Sequence, residues 1–467
     1  MQQLSSFDAA FLYLESPTSH MHVGSLALYD PSTAPDGWSF EKVQRLYEER
    51  IQLIPQFRRR LVEVPMQLDH PSWIEDPEFD LLWHVRRIGV PPPGGLEELA
   101  AVTADLIATQ LDRSRPLWEV WVIEGLANGQ VAVLSKAHHA AIDGVAGTEI
   151  VAAMLDVTPE GAAPPPRQKP KALKPVPGDV RMLAKAAGSL AMQPIRALRA
   201  ARRGAQALRS RRQVIEELGH GSLASTLPGG APRVSFSHAL TPERSFAFRS
   251  YPLDGLLTVK EALGAHLNDL VLAVCGGALR RYLAGRDEEV DHSLVAMVPM
   301  SIHSASSDDD EANQLMNMFI NLGSDIPDPL TRLAFIMEQT ETGKAQLREG
   351  VGDPVRAISD MAPATLTSHL LRYVASHRIA DTMQPLFNLT MSNLRGARFP
   401  LYLAGAKMIA NYPIAPIYDG NGLNITVMTY QDQMDIGIVA CPQLTPDLDA
   451  IPDAIADSIA DYVALTE

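Results

Sequence analysis

The sequence predicts an α/β protein of two domains, and three observations carry that expectation. The chain has 467 residues, more than one ordinary hydrophobic core organises and a comfortable length for two domains of about 150 to 230 residues plus a connector. Strand-like and helix-like stretches alternate in both halves, and a proline-rich segment separates them. Hydrophobic residues at 46% against charged residues at 20% describe a soluble globular chain with apolar area enough for a core and a lined pocket.

The first domain is expected over residues 1–160. There "HVGSLALYD" and "GQVAVLSKA" read as strands, while "SFEKVQRLYEERIQLI" repeats its apolar residues at helical spacing. Residues 161–235 form the connector. It opens within "TPEGAAPPPRQKPKALKPVPGD", whose prolines cannot hold a regular element. It continues through 181–212, which carry nine Lys or Arg and no acid. Ile195, Leu198, Ala201, Ala205 and Leu208 fall at helical spacing among those arginines, after a break at Pro194. This is a basic amphipathic helix, suited either to an anionic lipid surface or to solvent between domains. The second domain is expected over 236–467. It holds a helical "LNDLVLAVCGGALRRYLAG", the strands "SLVAMVPMSI" and "FNLTMSNL", and a hairpin in "NITVMTYQDQMDIGIVA". A last helix places Ile451, Ile455, Ile459 and Val463 on one face.

Several function classes are disfavoured. A net charge of −15 opposes nucleic-acid binding, which needs a basic surface to neutralise phosphates. Cys275 and Cys441 match no metal or redox spacing and make a poor framework for a secreted protein, so a reducing cytoplasm is expected. No apolar run of about 18 residues occurs and the N-terminus lacks a basic leader, so no membrane span is expected. There is no G-x-S-x-G elbow, P-loop, G-x-G-x-x-G or C-x-x-C.

Chemistry concentrates in "KAHHAAIDGVAGT" at 136–148. His138 to Gly144 is expected on the turn between a strand and a helix, where side chains are displayed. A histidine there titrates near neutrality and can take a proton from a hydroxyl and return it. The same string admits a second reading, in which Asp143 caps the following helix and the histidines are core residues. A metal site fits less well, because adjacent strand histidines point to opposite faces; His20 and His22 share a face but lack an obvious third ligand.

"HHAAIDG" matches the HHxxxDG signature of the acyltransferase superfamily that resembles chloramphenicol acetyltransferase and includes peptide-synthetase condensation domains. Further strings narrow the resemblance: "LSSFDAAFLYLESPTSHMHVG", "RPLWE", "NDLVLA", "VPMS", "MSNLRG" with "PLYLAGAKM", and "DGNGLNITVMTY". Together they resemble the bacterial wax ester synthase/diacylglycerol acyltransferase family. In one departure, Leu394 and Arg395 stand where the family usually has Val-Pro.

The resemblance implies two chloramphenicol-acetyltransferase-like subdomains with a substrate channel between them. It also implies acyl transfer from acyl-CoA, a co-substrate with no further cofactor or metal, to diacylglycerol or a long-chain alcohol. His139 is then the general base, His138 a supporting residue and Asp143 a loop anchor, with Gly144 shaping the loop. Asn268 is the first oxyanion candidate, with a helix N-cap as its alternative; Ser392 is the second, with Asn393 beside it. Trp118 and Glu119 read as architectural. Arg196, Arg199, Arg202, Arg203 and Arg209 are expected to dock the enzyme peripherally on the inner membrane face or on lipid droplets. Two rivals remain: a condensation-type or polyketide-associated acyltransferase using a carrier-bound thioester, and a non-catalytic lipid-binding protein.

Overall fold

A computed structural model describes residues 2–65, 68–142, 150–163, 178, 230–288, 291–303, 313–348 and 378–466. The chain divides into two compact units. The first takes the N-terminal part of the chain together with Ala397–Ile414, and the second includes Ala415–Glu467.

Elements are numbered in chain order. The first unit contains β1 (Gln2–Gln3), α1 (Ser6–Leu14), β2 (His22–Asp30), α2 (Phe40–Arg50), β3 (Arg59–Val62), β4 (Ser72–Glu75), α3 (Leu81–His84), β5 (Val85–Gly89), α4 (Leu96–Ala108), β6 (Trp118–Glu124) and β7 (Val131–His138). From later in the chain it adds β12 (Tyr402–Leu403) and β13 (Ala406–Ile414). Its main sheet has the order β12-β13-β2-β7-β6-β5, and β1-β4-β3 form a small second sheet. Helices α1 and α2 start where short polar side chains satisfy free backbone N–H groups. Ser5 Oγ accepts from Asp8 N at the head of α1, and Ser39 Oγ from Lys42 N at the head of α2. The expected strands at 22–30 and 129–137 are β2 and β7, which pair antiparallel. Gly24 lets them approach closely, since a Cβ there would lie 1.9 Å from Ser135 O.

Strand alternation divides this sheet into two faces. Gly24, Leu26, Leu134, Lys136 and His138 share one of them with His22. The end of α4 covers that face, and buried Lys136 donates from Nζ to Leu106 O and Thr109 O, both at 2.9 Å. Trp118 lies on the other face, stacked between Phe57 and His84 at 4.4 Å from each, with Nε1 donating to Phe57 O at 2.8 Å. It is 2% exposed, which makes "PLW" a packing element, as read from the sequence.

The second unit contains β8 (Ser245–Pro252), α5 (Asp254–Ala262), α6 (Leu267–Ala284), β9 (Val295–His303), β10 (Asn313–Asn321), α7 (Pro329–Arg348), β11 (Leu389–Arg395), β14 (Leu423–Tyr430), β15 (Gln433–Ala440) and α8 (Ala450–Ala464). Its sheet has the order β10-β9-β11-β14-β15-β8. The expected hairpin is β14–β15, closed by a two-residue turn in which Gln431 has φ 52°, as tight hairpins require. Ile451 and Ile455 of α8 pack with Leu270, Val274 and Ala278 of α6 and with Leu389, Met391, Ile425 and Val427 of the sheet in one apolar cluster.

The expectation of an uninterrupted second domain over 236–467 is corrected. β13 leaves that stretch and lies against β2 in the first unit, with Tyr412 opposite Leu26 and Ile414 opposite Gly24. The alternating burial of β13 suits either sheet, and the free edge of β2 supplied the partner. The proline-rich and basic connector lies mostly outside the described residues, including Arg196, Arg199, Arg202, Arg203 and Arg209.

Candidate active site around the histidine pair

β7 runs through His138 and ends there, so the turn begins one residue later than the sequence suggested. The backbone is held from two sides: His138 N donates to Leu117 O at 3.0 Å, and His139 N to Met21 O at 2.8 Å. The two imidazoles are therefore sent into different surroundings.

His138 is 1% exposed. Ala140 N donates to its Nδ1 at 3.0 Å, which places the proton of the neutral ring on Nε2. That nitrogen lies 3.8 Å from Glu15 Oε2, beyond hydrogen-bond length. Glu15 is taken by Arg113, whose Nε donates to Oε2 at 2.8 Å while Nη2 donates to Leu12 O at 2.9 Å. A nearby carboxylate favours imidazolium, but Arg113 already neutralises this one. Burial dominates and pushes the His138 pKa down to about 3, with Arg113, His139 and His20 adding to the effect. His138 is thus a neutral staple: its one lone pair holds the turn and is not free to take a proton from a substrate.

His139 is half-buried and its ring stacks on Phe11, with centroids 3.9 Å apart and planes 11° from parallel. Phe11 and Glu15 are four residues apart at the end of α1, so one side of that helix seats both histidines. His22 lies opposite His138 in register, edge-on at 6.2 Å, and His20 stacks on His22 at 5.4 Å. Burial holds His22 well below the usual histidine range, reinforced by Lys136, His138 and His20. The histidines form an aromatic cluster; among the described residues no group of three or more His, Cys, Asp or Glu could hold a metal ion. Ala140 and Ala141 border a cavity of about 160 Å³ that Gln2, Arg59 and Trp73 also line. Asp143 and Gly144 lie outside the described residues.

Three of the remaining candidates belong to the second unit. Asn268 is not a helix cap, because α6 begins one residue earlier with His266 at the N-cap position. Its Oδ1 accepts from Asn393 Nδ2 at 3.5 Å, which leaves the Asn268 amide hydrogens without a partner among the described residues. Ser392 precedes Asn393 on β11 and points to the opposite face of the sheet; the structure joins Asn268 to Asn393 and not to Ser392. Sequence reading missed Phe11, Glu15 and Arg113. The only signal for them was Glu15, an acid closing the apolar run "AAFLYLE"; Arg113 stands two residues before "RPLWE", and nothing local marks Phe11.

Residues 4–271 match the wax ester synthase/diacylglycerol acyltransferase catalytic domain, and residues 312–462 match the C-terminal domain of the same family. A relative named as a diacylglycerol O-acyltransferase from Mycobacterium tuberculosis strain H37Rv is 36% identical over 457 residues, covering 96% of each chain. Another from the same strain is 34% identical over 452 residues, covering 96% of this chain and 87% of the relative. Among solved structures, the wax ester synthase/diacylglycerol acyltransferase of Marinobacter aquaeolei VT8 aligns over all of both chains with TM-score 0.67 and 27% identity. The first condensation domain of the calcium-dependent antibiotic synthetase aligns over 100% of this chain and 96% of its own with TM-score 0.57 and 15% identity, a likeness of fold.

Proposed function

We propose that this chain, which belongs to the wax ester synthase/diacylglycerol acyltransferase family, is an acyl-CoA-dependent O-acyltransferase that uses His139 as its general base. The supporting observation is the division of labour within the pair: His138 is sealed, neutral and occupied by Ala140 N, while His139 is partly open and held in orientation by Phe11. The acceptor is the hydroxyl of diacylglycerol, with long-chain alcohols as further acceptors.

His139 takes the hydroxyl proton as the oxygen attacks the thioester carbonyl carbon. The carbon–sulfur bond then breaks, CoA leaves as thiolate, and the imidazolium returns the proton to give the thiol. The acyl group moves in one transfer with no acyl-enzyme. Base assistance of this kind contributes about 10²–10⁴ in rate. Asn268, held by Asn393, is the preferred donor to the oxyanion; Ser392, on the other face of β11, is the weaker candidate. Asp143 anchors the loop. The enzyme visits its water-insoluble acceptor at the inner membrane face or a lipid droplet, held there by Arg196, Arg199, Arg202, Arg203 and Arg209. No single helix among the described residues is long and apolar enough to cross a membrane.

His139→Ala tests the reading, with palmitoyl-CoA as donor and diacylglycerol or hexadecanol as acceptor. The expected result is a fall in kcat of at least about 10²-fold at unchanged circular dichroism. Near-parental turnover would overturn the base assignment.

A further inference from the structure

The sheet of the second unit buries polar side chains where a core would normally be apolar. Alternation puts Leu389, Met391, Ile425 and Val427 on the face that packs with α6 and turns Thr390, Ser392, Asn424 and Thr426 to the other. These four form a square: Thr390 lies opposite Asn424 in the parallel pairing of β11 and β14, and Ser392 lies opposite Thr426. Gly437 of β15 faces Thr426 and adds no side chain.

Burial is nearly complete, with Asn424 0%, Thr426 2% and Thr390 6% exposed. Thr426 Oγ1 donates to Asn424 Oδ1 at 2.8 Å. That bond settles the orientation of the amide and leaves Nδ2 as a donor. Among the described residues neither Asn424 Nδ2 nor the neighbouring Thr390 Oγ1 has a hydrogen-bond partner. Buried donors are rarely left unmade, because desolvation without a compensating bond is costly. Two on adjacent strands, one locked in place by a third residue, form a donor pair suited to one acceptor atom.

We infer that Thr390 and Asn424, with Thr426 as the positioning residue, form a binding site for a carbonyl oxygen of the acyl-CoA donor. The inference rests on the acyltransferase reading for the identity of its ligand. The matching chemistry is a neutral carbonyl acceptor, present in the thioester and in the two amides of the pantetheine arm. A fatty chain offers no acceptor to these donors, and a phosphate would face two neutral donors with no cation in the square.

Thr390→Val and Asn424→Leu separate a binding role from a packing role. Each removes the unpaired donor at nearly constant shape, so if the groups only pack, Thr390→Val leaves kinetics unchanged. If they bind the donor, kcat/KM for palmitoyl-CoA falls about three- to tenfold per variant, the size of one lost neutral hydrogen bond. KM for the acceptor stays put, and the Thr390→Val melting temperature is equal to or above the parent's, because removing an unsatisfied hydroxyl relieves its desolvation. S-ethyl palmitoyl thioester, which has no amides, locates the carbonyl: a loss seen only with palmitoyl-CoA assigns the pantetheine arm and leaves Asn268 as the oxyanion donor, whereas a loss that persists with the simple thioester assigns the thioester carbonyl and moves the oxyanion contact from Asn268 to the Thr390 face of β11. Parental kinetics in Thr390→Val, or a loss confined to acceptor KM, overturns the inference. His139→Ala run in parallel keeps the two readings apart, since an active His139→Ala enzyme sinks the base assignment and leaves the binding site standing.

Discussion

Acidification should destabilise this protein through His138, and the structure sets the size of the effect. The folded-state pKa of His138 is pushed down to about 3 from the ordinary 6.5, so the folded chain keeps the ring neutral while the unfolded chain protonates it. A group of this kind contributes stability that is fully present above pH 6.5 and lost as the pH falls towards the folded value. Each pH unit inside that window costs about 1.4 kcal/mol, so going from about pH 7 to about pH 5 removes about 2 kcal/mol through this residue alone. Burial is the main cause, and Arg113, His139 and His20 act in the same direction. His22 is depressed for related reasons, and acidic groups titrate elsewhere, so the parent's total slope is not diagnostic. The informative quantity is the difference between the parent and His138→Asn, whose Oδ1 takes the place of Nδ1 and can still accept from Ala140 N. Urea unfolding at both pH values should show the parent losing about 2 kcal/mol more than the variant. Equal losses would mean that His138 is not held neutral in the fold, and the staple argument would fail with it.

Removing Arg113 strands Glu15, whose side chain is 1% exposed while that of Arg113 is 31% exposed. Arg113→Met should cost about 3 kcal/mol, the low end for breaking a buried pair, and adding Glu15→Gln should restore most of it; a double variant no more stable than Arg113→Met would contradict the pairing. Trp118→Phe deletes the donor to Phe57 O and should lower stability by about 1–2 kcal/mol, leaving kcat unchanged below the melting point, so a kinetic defect at parental melting temperature would mark Trp118 as a substrate contact. Asp143→Ala is expected to cost roughly 0.5–2 kcal/mol as a lost cap or anchor, visible in melting temperature as well as rate. Replacing Arg196, Arg199, Arg202, Arg203 and Arg209 by Gln should weaken sedimentation with anionic liposomes in a salt-sensitive way and slow turnover on dispersed diacylglycerol; binding equal to the parent's would place the docking surface elsewhere.

Local pattern determined much of this protein without reference to its tertiary structure. The strands β2 and β7, the helices α2, α6 and α8, and the hairpin β14–β15 follow from periodicity and turn chemistry that act over a few residues. The histidine pair was legible because its residue types and spacing are contiguous. What the sequence could not determine are the choices made across long separations. Arg113 finds Glu15 across 98 positions, and β13 joins the sheet of β2 from the far end of the chain, because pairing partners are selected by register and burial and leave no local trace. The division between the two histidines is of the same kind: identical side chains in adjacent positions became a sealed staple and a partly open base only when α1, Met21 and Leu117 closed around them. So is the square of Thr390, Ser392, Asn424 and Thr426, unremarkable in either strand alone. It took shape when parallel pairing set two strands side by side and buried donors that find no acceptor among the described residues.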